Sequence, residues 1–126
     1  MSGTPSSFDD ILADVARHPG FLTGIIASAD GLPIARRLPI DVDPLRFSAA
    51  AAILVSTAQR TLQLLGVGPA DTIIVKGRRA LVVGGPAGPE AGILLAFRKD
   101  VEIVQALDQL QQASRQVEEF VREKRF

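Results

Sequence analysis

One long segment, from Asp43 to Gly66, constrains the fold of this 126-residue chain more than any other. Asp43 is suited to cap a helix because its carboxylate can accept the free amides of the first turn, and Pro44 suits the first helical position. Gly66 and the Gly68-Pro69 pair that follows it are typical of a helix end. The segment therefore predicts one helix of about six turns.

This predicted helix has two different faces. Large apolar side chains recur at helical spacing on one face, and we expect them to pack on the core. They belong to Phe47, Ala51, Leu54, Val55, Ala58, Leu62 and Leu65. The opposite face is small and weakly polar, so a second helix could approach it closely, although helix propensity alone would also explain its alanines. Its residues are Ala49, Ala52, Ile53, Ser56, Gln59, Arg60 and Gln63.

The composition excludes several classes of protein. There is no Cys, so disulfides, thiolate zinc sites and cysteine nucleophiles are ruled out, and 14 Lys and Arg balance 14 Asp and Glu. This balance leaves none of the excess positive charge that nucleic-acid binding requires. No targeting segment is visible, and no stretch approaches the roughly 20 apolar residues of a membrane span. We expect a cytoplasmic protein with a disordered N-terminus at residues 1–6 and a single domain over residues 7–126.

The chain before the central helix predicts a helix and a β-hairpin. Ser7 can cap a helix that ends at the Pro19-Gly20 pair. Two apolar runs, 21–28 and 32–38, then flank an Asp-Gly pair, which is a strong hairpin signal. We therefore expect the first two strands to be antiparallel neighbours.

The chain after the central helix predicts a three-stranded antiparallel meander and a last helix. The strands are 71–76, 80–83 and 91–97, and their connections are too short for a parallel crossover. The last two strands are apolar throughout, so we expect helices on both faces of the sheet. Asp100 is expected to cap the last helix, which runs from Val101 to about Lys124. Its expected inner stripe is Ile103, Leu107, Leu110, Val117 and Phe120 or Val121.

The two expected edges of the sheet differ in how well they are protected. Pro33, Arg36 and Arg37 discourage further pairing along the second strand. The strand 71–76 has no Pro and no internal charge, so it invites a partner strand unless the first hairpin joins the sheet there. One helix covers a five-stranded sheet poorly, whereas two copies side by side would cover a joined sheet. These features predict a homodimer interface of Ala49, Ala52, Ile53, Ser56, Arg60, Thr72, Ile73, Ile74 and Val75.

The other candidate sites have structural explanations. The GGPAGP loop at residues 84–89 lacks the Lys-Ser/Thr end and the following helix of a phosphate-binding loop, so we interpret it as a turn. His18 is the only histidine, and we expect it at the surface at a helix end, outside any metal site. Carboxylate pairs fall at helix starts, where capping explains them. Two arginine pairs, 36–37 and 78–79, could contact an acidic partner, but edge protection and hairpin solvation are preferred.

Four features together resemble the prokaryotic form of the roadblock/dynein light-chain family. They are the segment GFLTGIIASADGLPIARR from Gly20 to Arg37, the Ala-rich helix after Asp43-Pro44, the strand pair around Gly77 and the closing Leu-rich helix. The resemblance covers nearly the whole chain from Phe8 onward. It implies an α/β (α+β) sandwich that is profilin-like, with topology αββαβββα, helices on both faces and five antiparallel strands in the order 2-1-5-4-3.

The same resemblance implies a function. Members of the family form homodimers by pairing their third strands and packing their second helices antiparallel, and many bind small Ras-like GTPases as scaffolds or GTPase-activating partners. Our first hypothesis is therefore a non-enzymatic homodimeric adaptor of a small GTPase. The alternatives are a ligand-sensing domain, with a pocket at the GGPAGP loop or under the central helix, and a purely structural dimerisation domain. No nucleophile with its base and no metal-ligand set can be assembled, so we expect neither an enzyme nor a cofactor.

Overall fold

The computed structural model describes residues 7–123, and its elements follow the predicted order. The predicted disordered segment at residues 1–6 and the predicted helix end at Lys124 lie outside the described residues. The elements are α1 (Phe8–Ala16), β1 (Phe21–Ser28), β2 (Pro33–Arg37), α2 (Pro44–Leu65), β3 (Ile73–Lys76), β4 (Ala80–Pro86), β5 (Ala91–Arg98) and α3 (Ile103–Glu123). Within residues 7–123, each helix is too short or too polar to cross a membrane.

The five strands form one antiparallel sheet in the order β2-β1-β5-β4-β3. Helices α1 and α3 pack together on one face, and α2 lies on the other. This arrangement confirms the predicted α/β sandwich, including the strand order and the helices on both faces. Because β1 and β5 are central and covered on both faces, they are apolar along most of their length.

The face under α1 and α3 holds the main core. Ser7 caps α1 as predicted, since its Oγ accepts a hydrogen bond from the Asp10 backbone N–H at 3.1 Å. Phe97 is fully buried at this face, in a cluster with leucines, isoleucines and valines from both helices and from β1, β4 and β5. Close packing of this kind provides the stable platform on which the opposite face is built.

Helix α3 differs from its prediction at its start. It begins at Ile103, two residues after the predicted start, and Asp100 forms an ion pair with Arg98 at 3.5 Å in place of the expected cap. Ile103 is 39% exposed, because the side chain of a first helical residue points back beyond the helix end. The buried residues of α3 are Ala106, Leu110, Ala113 and Val117. Two of these are alanines that the search for large side chains missed, and their small size brings the helix close to its neighbours.

Two strand boundaries differ from the prediction by two residues or more, and a glycine pair explains both. Strand β4 continues through Gly84, Gly85 and Pro86, and β3 begins at Ile73 instead of residue 71. A Cβ placed on Gly85 would lie 2.5 Å from the carbonyl oxygen of Asp71. The chain that leads into β3 therefore passes directly against the end of β4, and only glycine leaves room for it. The turn itself is shorter than predicted and closes with a bond from the Ala87 N–H to the Ala91 carbonyl at 2.8 Å.

Candidate functional site

Among the elements of residues 7–123, helix α2 lies alone on its face of the sheet, which these elements cover only in part. Its ends are as predicted, because Asp43 Oδ1 accepts from the Leu45 N–H at 3.0 Å and Gly66 closes the helix in the left-handed region at φ 68°. The predicted inner stripe is only half right. Ala51 is buried, Leu65 is 68% exposed, and the other members are half-buried: Phe47, Leu54, Val55, Ala58 and Leu62.

The most deeply buried residue of α2 is Ser48, which apolar periodicity could not identify because serine is polar. Its Oγ lies 2.8 Å from the carbonyl oxygen of Gly31 and 3.1 Å from that of Leu45, and it is fully buried. Gly31 has φ 90°, so the β1–β2 turn needs glycine there. The hydroxyl group therefore fastens the start of α2 to this turn. The sequence contains both the serine of the helix and the glycine of the turn, but it does not reveal that the two residues form a hydrogen bond.

The β1–β2 turn packs against Ala52, one of the predicted interface residues of α2. A Cβ added to Gly31 would lie 3.5 Å from the Cβ of Ala52, so Ala52 packs against this chain's own hairpin. Ala52 is half-buried for that reason. The remaining predicted interface residues of the helix are exposed: Ala49, Ile53, Ser56 and Arg60. The small side chain of Ala52 thus has an explanation within one chain, whereas the exposed aliphatic side chain of Ile53, 64% accessible, has none.

A side-chain clamp holds the loop between α2 and β3. Gln59 Nε2 donates to the carbonyl of Ala70 at 3.1 Å, and the Ala70 N–H donates to Gln59 Oε1 at 2.7 Å. Ala70 is buried, although the loop around it is exposed. One amide group therefore satisfies both backbone groups of a loop residue and sets where the chain leaves α2 for β3.

Strand β3 is an edge of the sheet with little protection. Ile74 is 45% exposed and Val75 43% exposed, Thr72 is exposed just before the strand, and Ile73 is half-buried. At the other edge, α1 and α2 both pack against β2, which also carries Pro33 and two exposed arginines. The expected difference between the two edges is therefore present in the structure.

The exposed strand and the lone helix border the same face. Val75 pairs with Val82 on β4, and both Val82 and Leu54 of α2 pack against the smaller core cluster. Beyond this cluster the face continues to the β3 edge without a covering element among residues 7–123. The predicted interface residues from β3 and α2 thus lie on two adjoining parts of one molecule, an open edge and a half-covered face.

A groove of about 320 Å³ lies between α2 and one end of the sheet. Its apolar walls include Ala51 and Val55 from the helix, Ile93 from β5 and Pro86 from the end of β4. Polar side chains also line it, namely Ser56, Gln59, Arg60 and Gln63. This is the position proposed for a pocket from sequence, near the GGPAGP loop and beside the central helix.

Within residues 7–123 no group of three or more His, Cys, Asp or Glu side chains could hold a metal ion. His18 is half-buried and not at the surface as predicted, since its ring packs edge-to-face on Phe97 at 5.5 Å. Its Nδ1 accepts from the Gly20 N–H at 3.0 Å, so the residue shapes the turn into β1. In the part of the chain that the structure describes, no buried side-chain nitrogen or oxygen lacks a hydrogen-bond partner.

The strand order, the helix placement and the open β3 edge define a profilin-like domain. A family model described as the Roadblock/LC7 domain matches residues 7–97, and the chain belongs to this family. This finding confirms the family predicted from sequence. No curated protein matches the chain by sequence.

Solved structures show the same fold at low sequence identity. A Roadblock/LC7 domain from Streptomyces avermitilis superposes with a TM-score of 0.83 at 14% identity, covering 92% of this chain and 98% of the other. MglB from Myxococcus xanthus gives 0.85 at 10% identity, with 92% and 95% covered. Profilin II from Acanthamoeba castellanii gives 0.55 at 11% identity, with 86% and 93% covered. These likenesses confirm the profilin-like fold.

Proposed function

We propose that this chain is a homodimeric adaptor or regulator that binds a small Ras-like GTPase and has no catalytic activity of its own. The observation that carries the dimer is the unprotected β3 edge next to a sheet face that one helix covers only in part. An exposed edge strand presents unpaired N–H and C=O groups, and a second β3 would satisfy them. The predicted interface residues are the surface through which the two copies would meet: Ala49, Ala52, Ile53, Ser56, Arg60, Thr72, Ile73, Ile74 and Val75.

Self-association would also complete the covering of the α2 face. Two antiparallel β3 strands would join the sheets of two copies, and the second helices would then lie on the same side of the joined sheet. Aliphatic groups now exposed on that side, such as Ile53 and Val75, would become buried. Stable interfaces bury about 1,600 Å² in total, which an edge strand together with a helix of 22 residues can supply.

Substitutions at exposed positions test the dimer without disturbing the core. Val75→Lys places a charge on the β3 edge, and Ile53→Lys places one on the outer face of α2. Val104→Lys is the matched control, because Val104 is a 70% exposed valine at the start of α3. We expect sedimentation to show a dimer for the wild type and for Val104→Lys, and monomers with unchanged circular dichroism for the other two variants. A monomeric wild type would contradict the proposal.

Membership of the Roadblock/LC7 family supports the proposed partner. The resemblance of the sequence to this family implies that the partner is a small Ras-like GTPase. If this chain binds the switch loops of the GTPase, its affinity for the GTPase must depend on the bound nucleotide, because the γ-phosphate orders those loops. Titration calorimetry with the Ras-like GTPases of the same genome, loaded with GDP or a non-hydrolysable GTP analogue, measures this directly. We expect at least one GTPase to bind more tightly in one nucleotide state. Failure of every GTPase to bind in either state would exclude this partner class.

The adaptor proposal also requires that the chain itself performs no hydrolysis. Within residues 7–123 no cluster of side chains could hold a metal ion, and the sequence offers no nucleophile with its base, so purified protein should leave GTP unchanged. GTP turnover that disappears on a point substitution within this chain would contradict a non-enzymatic role.

A second candidate function, ligand sensing, is favoured by the groove between α2 and the sheet. Its volume of about 320 Å³ falls at the lower end of the range of small-molecule pockets, and its walls are mostly apolar with a few polar groups. Native mass spectrometry of protein purified from its source organism would detect a ligand that remains bound in this groove.

A further inference from the structure

Residues of opposite charge stand at the two ends of β3. Asp71 comes two residues before Ile73, where the strand begins, and Arg78 comes two residues after Lys76, where it ends. Arg79 follows directly. All three charged residues are exposed, and the ion pairs found within residues 7–123, between Asp14 and Arg17 and between Arg98 and Asp100, include none of them. In a single chain, therefore, Asp71, Arg78 and Arg79 form no ion pair within 4 Å with any other described residue.

The basic end of β3 is crowded with like charge. Ala80, which follows Arg79, pairs with Arg98 at the end of β5, and Lys99 comes next. Among the described residues, one acidic side chain forms an ion pair at this end of the sheet. It is Asp100, and its partner is Arg98. An additional carboxylate from outside the chain would relieve this repulsion.

The acidic end of β3 borders a depression that is large enough for a guanidinium group. This depression, of about 340 Å³, lies beside α3, and the residues that line it include Asp71 and Glu118 as well as Arg115. The backbone of Asp71 is held in place, because its carbonyl lies against Gly85. Arginine is the side chain that matches such carboxylates best, since its planar group donates two parallel hydrogen bonds.

Antiparallel pairing of two β3 strands brings these two ends together. In such a pair the start of each strand lies beside the end of the other, and each residue advances by about 3.3 Å. The β3–β4 turn, which carries Arg78 and Arg79 and is closed by a bond from the Gly77 N–H to the Ala80 carbonyl at 2.8 Å, would therefore lie beside the start of β3, near Asp71, in the other copy. The twofold axis repeats the contact, so one dimer contains it twice.

We propose that the occupant of this depression is a second copy of the chain, whose Arg78 and Arg79 bind the carboxylates of Asp71 and Glu118. This inference rests on the proposed dimer and deepens it. The contact makes the β3 edge selective for itself, because an unrelated strand without an acidic start would leave the arginines of this chain unpaired. It also assigns the arginine pair at residues 78–79 to self-recognition, in contrast to the pair at residues 36–37 on the β2 edge.

Charge reversal tests the contact. Asp71→Arg and the double variant Arg78→Asp with Arg79→Asp each replace both attractive contacts of the homodimer with repulsive ones. We expect each variant alone to dimerise about tenfold or more weakly than the wild type at low salt, because like charges juxtaposed at an interface oppose association. Mixed in equal amounts, the two variants face each other with opposite charges at both contacts. We expect the mixture to form a heterodimer with an affinity within about threefold of the wild type.

The matched control is the double variant Arg36→Asp with Arg37→Asp, which reverses the same two charges on the β2 edge and should dimerise like the wild type. Sedimentation equilibrium measures every affinity, and circular dichroism confirms that each variant is folded. A monomeric wild type would overturn the dimer and this contact together. A wild-type dimer whose affinity the reversals leave unchanged, or folded variants that stay monomeric when mixed, would overturn this contact alone.

Discussion

At the scale of single residues, glycine and serine positions decide how the α2 face is assembled. Gly85 allows the chain before β3 to cross the end of β4. The carbonyl oxygen of Gly31 accepts a hydrogen bond from the hydroxyl of Ser48. In sequence the Gly84-Gly85 pair has the appearance of part of a phosphate-binding loop. In the structure both glycines lie in a strand, where a Cβ would meet backbone oxygens at 2.6 Å and 2.5 Å. Their function is therefore close packing.

A single methyl group tests this interpretation. Gly85→Ala must displace the carbonyl of Asp71, and we expect it to lower the free energy of unfolding by about 1–3 kcal/mol. The control is Gly92→Ala in the neighbouring strand, where the new methyl would meet atoms no closer than 3.5 Å and should change stability by less than about 0.5 kcal/mol. Urea denaturation of both variants makes the comparison. Equal stability of the two would show that the loop before β3 moves freely.

At the scale of elements, α2 has a role beyond covering the sheet, because it also holds the loop that leads into the edge strand. The Gln59 amide binds both backbone groups of Ala70, which is buried in an otherwise exposed loop. The position of β3 relative to α2 thus depends on one side chain. A dimer that uses both elements requires them to be held in a constant relation.

The clamp predicts a measurable effect on that loop. Gln59→Ala removes two hydrogen bonds, and we expect a loss of about 1–2 kcal/mol in the free energy of unfolding and faster hydrogen exchange of the Ala70 amide. Gln63→Ala, one turn later on an exposed position, has the same change in helix propensity and serves as the control. If both variants exchange the Ala70 amide at the wild-type rate, the clamp does not order the loop.

At the scale of the whole molecule, the two faces of the sheet are unequal. Two helices bury the large core on one face, whereas one helix covers the other and leaves several of its own aliphatic residues half-buried or exposed. If the proposed dimer forms, it would complete the second face and stabilise each copy. Folding and association should therefore be linked.

This linkage gives a prediction on thermal stability. If the native state is a dimer, mass action favours it at higher protein concentration, so the melting temperature should rise by a few degrees over about a hundredfold increase in concentration. Val75→Lys, designed to abolish association, should melt at a temperature that does not depend on concentration. Differential scanning calorimetry of both proteins measures the effect. A concentration-independent melting temperature for a wild type that sediments as a mixture of monomer and dimer would contradict the linkage.

The amino-acid sequence by itself determined the features that depend on near neighbours along the chain. The caps at Ser7, Asp43 and Gly66 and the Asp-Gly turn are all local, and the structure has them where they were predicted. The family resemblance added the strand order 2-1-5-4-3, which periodicity cannot specify. The choice of β3 over β2 as the open edge followed from the placement of Pro and Arg.

Which side chains are buried could not be predicted from local sequence, because burial depends on residues far apart in the chain. Ser48 meets Gly31 across 17 positions, Gln59 meets Ala70 across 11, and Ala106 and Ala113 are buried only because α1 and the sheet lie beside them. Leu65 satisfies the helical pattern of a core residue but remains exposed, since the sheet does not extend beneath it. A periodic pattern specifies which side chains share a face, whereas the packing of the other elements decides how much of that face is covered.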